Sequence, residues 1–230
     1  MRMFSLCVMG TLVLLVAGPA TAITITASDV NAALGGGTND EVTLMNGITI
    51  STGPEDIGDL RVATNGGLMG VSADAGFLSD EIDSIGETVM VSFESPVRVT
   101  SIVIGLFFPA GVQMDLRDER GIVMTNGSAC SSGCTFSASG SWTGQGSFGT
   151  SDDFGGFGEW TLNNPFGDSE LTEMVFMADR IGGIPGDSRN SDFAIVAFTL
   201  VPEPASSALL GLGLLGLAVA RRPRSRTTRR

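Results

Sequence analysis

Residues Ala205–Ala220 read ASSALLGLGLLGLAVA, sixteen positions without a charge. As a helix rising about 1.5 Å per residue this stretch reaches about 24 Å. That is short of a hydrocarbon core of about 30 Å and suits a minimal or transient span. RRPRSRTTRR follows, with six arginines in ten residues, Arg221, Arg222 and Arg224 among them. Such a cluster resists translocation and keeps its end cytoplasmic, so the domain before it would lie outside. Val201-Pro202-Glu203-Pro204 stands just upstream. Two prolines this close neither continue a helix nor serve a ladder, which predicts an extended, accessible segment. Gly211-Leu-Gly213-Leu-Leu-Gly216 matches G-x-G-x-x-G, but without a strand before it the pattern describes close helix packing, not dinucleotide binding.

The other end is also apolar. Arg2 precedes Phe4–Ala17, a run interrupted only by Ser5 and Thr11. Gly18-Pro19 breaks it, and Ala20-Thr21-Ala22 supplies an A-x-A exit. The order is that of a secretory signal peptide of residues 1–22, with a short signal helix, cleaved after Ala22. Its partners are the secretion translocon and signal peptidase. The alternative, an uncleaved anchor, has too short an apolar run.

The three-part C-terminus, VPEP, short Gly/Leu-rich helix and basic tail, resembles the PEP-CTERM sorting signal of Gram-negative bacteria. The resemblance covers residues 201–230. It implies recognition of Pro202, Glu203 and Pro204 by an exosortase, an integral-membrane cysteine protease, which processes the tail. It further implies export across the inner membrane, transient anchoring, and a final place at the cell surface or in an exopolysaccharide biofilm matrix.

Between the two ends, residues 23–200 suffice for one domain with a core of its own. Including Val201, this segment holds 24 acidic residues and 6 arginines, a net charge of −18. Like-charge repulsion disfavours nucleic acid and anionic membrane surfaces as partners. The chain has no His, Lys or Tyr. Histidine triads, His-ligated zinc, lysine Schiff bases and the P-loop lysine are thereby excluded.

The fold class follows from short alternating runs separated by turn residues. Ile23–Thr26 reads as a first strand, and Ala27–Leu34 as one short helix with Ser28 as N-cap. Val42–Met45 and Ile48–Ser51 flank Asn46-Gly47, predicting a hairpin with a type I′ turn. Gly53–Gly58 and Asn65–Gly70 read as breaks. Thr88–Glu94 alternates, Ser95-Pro96 reads as a turn, and Val97–Phe108 is a long apolar strand. Its parity shifts between Val99 and Ile102, which predicts a bulge or burial on both faces. Val112–Arg117 and Ile122–Thr125 read as another hairpin. Gly127–Gly158 reads as long Gly/Ser-rich loops with weak strands at Thr135–Ser139 and Ser141–Thr143. Glu159–Leu162 reads as a short strand, and Leu171–Ala178 and Phe193–Leu200 as central strands. The expectation is an all-β, antiparallel, jelly-roll-like sandwich.

Candidate sites are few. Cys130 and Cys134, spaced C-x₃-C, predict a disulfide in an exported chain. Asp152, Asp153, Asp187 and Asp192 lie in polar loops and offer the oxygen ligands Ca²⁺ prefers; solvated turn residues are the alternative. Trp142 and Trp160 offer rings on which an extracellular polysaccharide could stack; core packing is the alternative. No pair of carboxylates is marked out for glycosidase or lyase chemistry. The expected function is that of a non-enzymatic surface or matrix protein, with a carbohydrate-binding module and a polysaccharide-acting hydrolase as the other two readings.

Overall fold

Apolar side chains at alternate positions bury one face of a strand, and the long alternating run around Val97 organises everything else. A computed structural model describes residues 21–44, 47–53, 61–65, 67–72, 81–82, 87–112, 117–150, 158–179 and 191–202. They belong to a compact unit spanning Thr21–Glu203. Residues 1–20 of the signal segment, the apolar tail helix expected at 205–220 and the arginine cluster lie outside the described residues.

The element order is β1 (Ile23–Thr26), α1 (Ala27–Leu34), β2 (Glu41–Leu44), β3 (Ile48–Thr52), β4 (Arg61–Asn65), β5 (Leu68–Ser72) and β6 (Thr88–Gly105). There follow β7 (Arg120–Thr125), β8 (Cys134–Ser137), β9 (Ser141–Trp142), β10 (Ser147–Thr150), β11 (Trp160–Asn163), β12 (Glu170–Ala178) and β13 (Ala194–Pro202). All pairings are antiparallel, and the main path runs β4-β5-β13-β6-β12-β7-β8-β9.

The centre is β6. One edge pairs with β3 and then β13; the other pairs with β12 and then β11. Ser95-Pro96 does not turn the chain, contrary to the sequence expectation. Instead β6 runs through as one strand, and its pairing with β12 skips between Val97 and Ser92. Proline lacks the N–H a ladder requires, and a bulge is where a strand tolerates that loss. The bulge expected between Val99 and Ile102 is present: Leu200 pairs with Val99 and Thr199 with Ser101, leaving Thr100 as the extra residue.

The sheet folds over on itself. Phe136 of β8 meets Phe193, which adjoins β13, edge to face with ring centroids 5.2 Å apart. β8 and β13 are separated by β7, β12 and β6 in the sheet order. At about 4.8 Å per strand, a flat sheet would hold them roughly 19 Å apart. Contact therefore requires two facing layers, and the architecture is all-β and sandwich-like. Phe107 joins both rings and Trp160 in the same apolar centre.

Several local expectations are corrected. The cap of α1 is Thr26, not Ser28: the Asp29 N–H donates to Thr26 Oγ1 at 3.2 Å and the Thr26 N–H donates to Asp29 Oδ2 at 2.8 Å. The last residue of β1 already has extended backbone and a free side-chain oxygen, so it serves as strand end and capping box together. Gly35, at φ 67°, closes the helix in the left-handed region. The β2–β3 ladder closes on Leu44↔Ile48. Its loop is thus three residues, with Gly47 at φ 69°, and not the two-residue type I′ turn. The Asn65–Gly70 break contains parts of a β4–β5 hairpin. β7 pairs with β8 and β12; most of the Val112–Arg117 strand expected beside it lies outside the described residues.

Candidate functional site

The most distinctive place in the unit is where the chain leaves it. β13 continues through Leu200, Val201 and Pro202, which pair with Val99, Arg98 and Val97. The accessible segment expected to begin at Val201 therefore begins later. Pro202 can close the strand because the final position has no further ladder N–H to supply. Pro96 and Pro202 each lack a ladder N–H, which blunts the pairing where β13 ends. Glu203 and Pro204, like Arg221, Arg222 and Arg224, lie outside the described residues.

The other edge of β13 is held by the first residues of the domain. Ile23 pairs with Leu200, and Thr24 with Thr199, whose Oγ1 atoms lie 3.1 Å apart. The expected signal-peptide cleavage point, after Ala22, thus adjoins the residues that precede the VPEP segment. Leu200 is 1% exposed. Beside it opens an apolar cleft of about 210 Å³, lined by Ile23, Ile48, Phe93, Val97, Leu200 and Pro202, with Glu94 and Ser95 at its polar margin. Arg98 pairs with Asp168, Nη1 to Oδ1 at 3.0 Å, on the exposed surface nearby. Sequence reasoning missed this convergence of the two ends. The alternating Ile23–Thr26 run signals a strand, but a pairing partner some 175 positions away has no local signal.

The remaining candidates separate. Cys130 and Cys134 form a disulfide with Cα atoms 5.0 Å apart. It clips the turn between β7 and β8, where Cys130 stands at φ 59°. Trp160 packs in the core, the alternative to a stacking platform for sugars. It is 5% exposed, Phe148 covers it at 4.7 Å, and its indole N–H donates to the Phe107 carbonyl at 2.9 Å. On β11, paired with Ile104 of the central strand, its ring points into the core. Trp142 is half-buried against Phe136 and donates to the Gln145 carbonyl at 2.5 Å.

Asp152, Asp153 and Asp187 lie outside the described residues; Asp192 is half-buried just ahead of β13. Among the described residues no group of three or more acidic or cysteine side chains converges to hold a metal. Also among them, no helix is long and apolar enough to cross a membrane. Glu119 is deeply buried, 2% exposed, and its carboxylate accepts from the Phe108 N–H. Its backbone also pairs with Phe108 and Ala138, so it ties the chain just beyond β6 to the sheet.

Residues 200–224 match the PEP-CTERM protein-sorting motif. No curated protein matches the chain. The matched stretch takes in Pro202, Glu203, Pro204, Arg221, Arg222 and Arg224, and its first three residues are the last three of β13. The chain therefore carries a PEP-CTERM sorting motif whose opening residues are part of the folded domain. The motif implies export, transient membrane anchoring and an exosortase as the kind of processing partner.

Proposed function

We propose that this chain is a non-enzymatic surface or matrix protein of a Gram-negative bacterium, delivered as a folded β domain and released by cleavage at its PEP-CTERM tail. The observation that carries this reading is the junction itself. β13 delivers the chain directly into Pro-Glu-Pro, and Ile23 sits beside the same strand end. Two processing steps, one at each terminus, would leave a domain closed by its own β1–β13 pairing.

A non-enzymatic role is supported by what the side chains lack and by what they are doing. The chain has no His, Lys or Tyr, and Glu119 is engaged in holding a loop. Burial of Trp160 removes half of the aromatic pair on which carbohydrate stacking rested. Association with exopolysaccharide in a biofilm is supported by the family resemblance, and the domain's acidic surface suits solubility outside the cell.

Mass spectrometry of the surface form tests the reading. The expected product begins at Ile23 and lacks the arginine tail; a mature surface form that retains Arg230 would overturn it.

A further inference from the structure

We propose that the end of β13 is a lock on tail processing: the exosortase gains its substrate only when Val201 and Pro202 peel away from Arg98 and Val97. The proposal rests on the reading of Pro202–Pro204 as protease-recognised and concerns access to the motif, not the bond-breaking step.

A protease that takes an extended substrate pairs with its backbone much as an added strand does. A cleft that encloses the substrate takes the backbone groups on both of its edges, and an edge already paired to β6 is closed to it. In this chain only Glu203 and Pro204 separate the last paired residue from the apolar run at Ala205. Fully extended, two residues span about 7 Å. That is too short for a membrane-embedded active site to hold a substrate strand while the whole ladder stays closed. The protease must therefore take residues that β6 is holding.

How far the strand can open is set by its neighbours. Val201 and Pro202 are held on one edge, by Arg98 and Val97. Leu200 is held on both edges, by Val99 and Ile23, and its side chain is in the core. Strand ends with one partner and partial exposure open at low cost, whereas doubly paired core positions open only with the whole domain. Peeling therefore stops at Leu200. Ile23, Val97 and Arg98 act as positioning residues for the sorting reaction, although none belongs to the matched motif.

The test uses the full-length chain, expressed with its exosortase, with tail loss followed by mass. Arg98 and Val201 face each other in register, and antiparallel partners lie about 4.5–5.5 Å apart, within reach of a disulfide. The double substitution R98C/V201C, oxidised during export, is expected to slow tail loss at least about tenfold. The rate is read against R98C and V201C singly, neither of which can form the cross-link, and reduction should return the double variant to the slower of those two rates. Six Gly/Ser residues inserted between Val201 and Pro202 should restore rapid tail loss even in the cross-linked chain, because the motif then hangs free of the sheet. Equal rates from cross-linked and reduced chains would overturn the lock while leaving the processing reading intact. A tail retained in every variant, the insertion included, would overturn both.

Discussion

Phe136 and Phe193 meet edge to face although three strands separate β8 from β13 in the sheet. Their contact holds the two layers together at the apolar centre, where Phe107 touches both rings. Both side chains are fully buried. Truncating either to alanine is expected to cost about 3–5 kcal/mol in denaturant unfolding. The double-mutant cycle should show a coupling of roughly 0.5–1.5 kcal/mol, the usual range for an aromatic pair. Strict additivity would mean that the layers are held elsewhere.

The capping box of α1 predicts a pH-dependent effect. The Thr26 side-chain and backbone hydrogen bonds hold the Asp29 carboxyl below its usual value of 3.8. Because the folded value is the lower one, the stabilisation is complete above the unfolded value and is lost as pH falls through the folded one. Thr26→Ala should cost about 1 kcal/mol near neutrality. The difference from wild type should shrink below about pH 4, where Asp29 is protonated in the unfolded chain. NMR titration of Asp29 should show its value rising in the variant.

Glu119 offers a test of a buried polar tether. Removing its carboxylate in Glu119→Ala leaves the Phe108 N–H without that acceptor. The expected loss is about 1–3 kcal/mol, the cost of leaving a buried donor unsatisfied. Glu119→Gln retains an amide oxygen at the same reach and should cost less. Hydrogen exchange at Phe108 should accelerate in the alanine variant well beyond the glutamine one. Equal protection in both would show that the loop is held by its other contacts.

For the Cys130–Cys134 disulfide, the closed loop is small and the expected stabilisation correspondingly modest. Chain-entropy reasoning gives about 2 kcal/mol for a loop of about five residues. The paired substitution Cys130→Ser with Cys134→Ser should lower thermal stability by that order and leave the β-sheet circular dichroism unchanged. Complete unfolding of the variant would assign the bridge a larger role than its loop length supports.

Where a strand carried a regular apolar pattern, the sequence was readable. β12 and β13 lie at the expected places, and the parity slip after Val99 located the Thr100 bulge. The misses have physical reasons. β10 has one apolar residue, Phe148, among Ser, Gly and Thr, so its pairing with β11 comes from the partner strand. Ser95-Pro96 looks like a turn because proline removes a donor, yet the bulge opposite β12 accommodates the loss. Trp160 stands between Glu159 and Thr161, and nothing in that local composition says which way its ring faces. The junction was half legible: VPEP announced a recognition segment, while its attachment to β6 and β1 depends on residues distant in the chain.

The pairing of Ile23 with Leu200 also bears on timing. Secretion delivers the chain amino end first, and Thr24 and Thr199, side by side in the sheet, are 175 positions apart. Non-local pairings of this kind form late and slowly. The first strand must wait, without its partner, until nearly the entire domain has crossed. The central strand waits as well, since one of its edges is completed by β13. Completion of the fold thus waits on the last residues before the tail, and a chain truncated before Leu200 would lack the strand that closes β1 and one edge of β6.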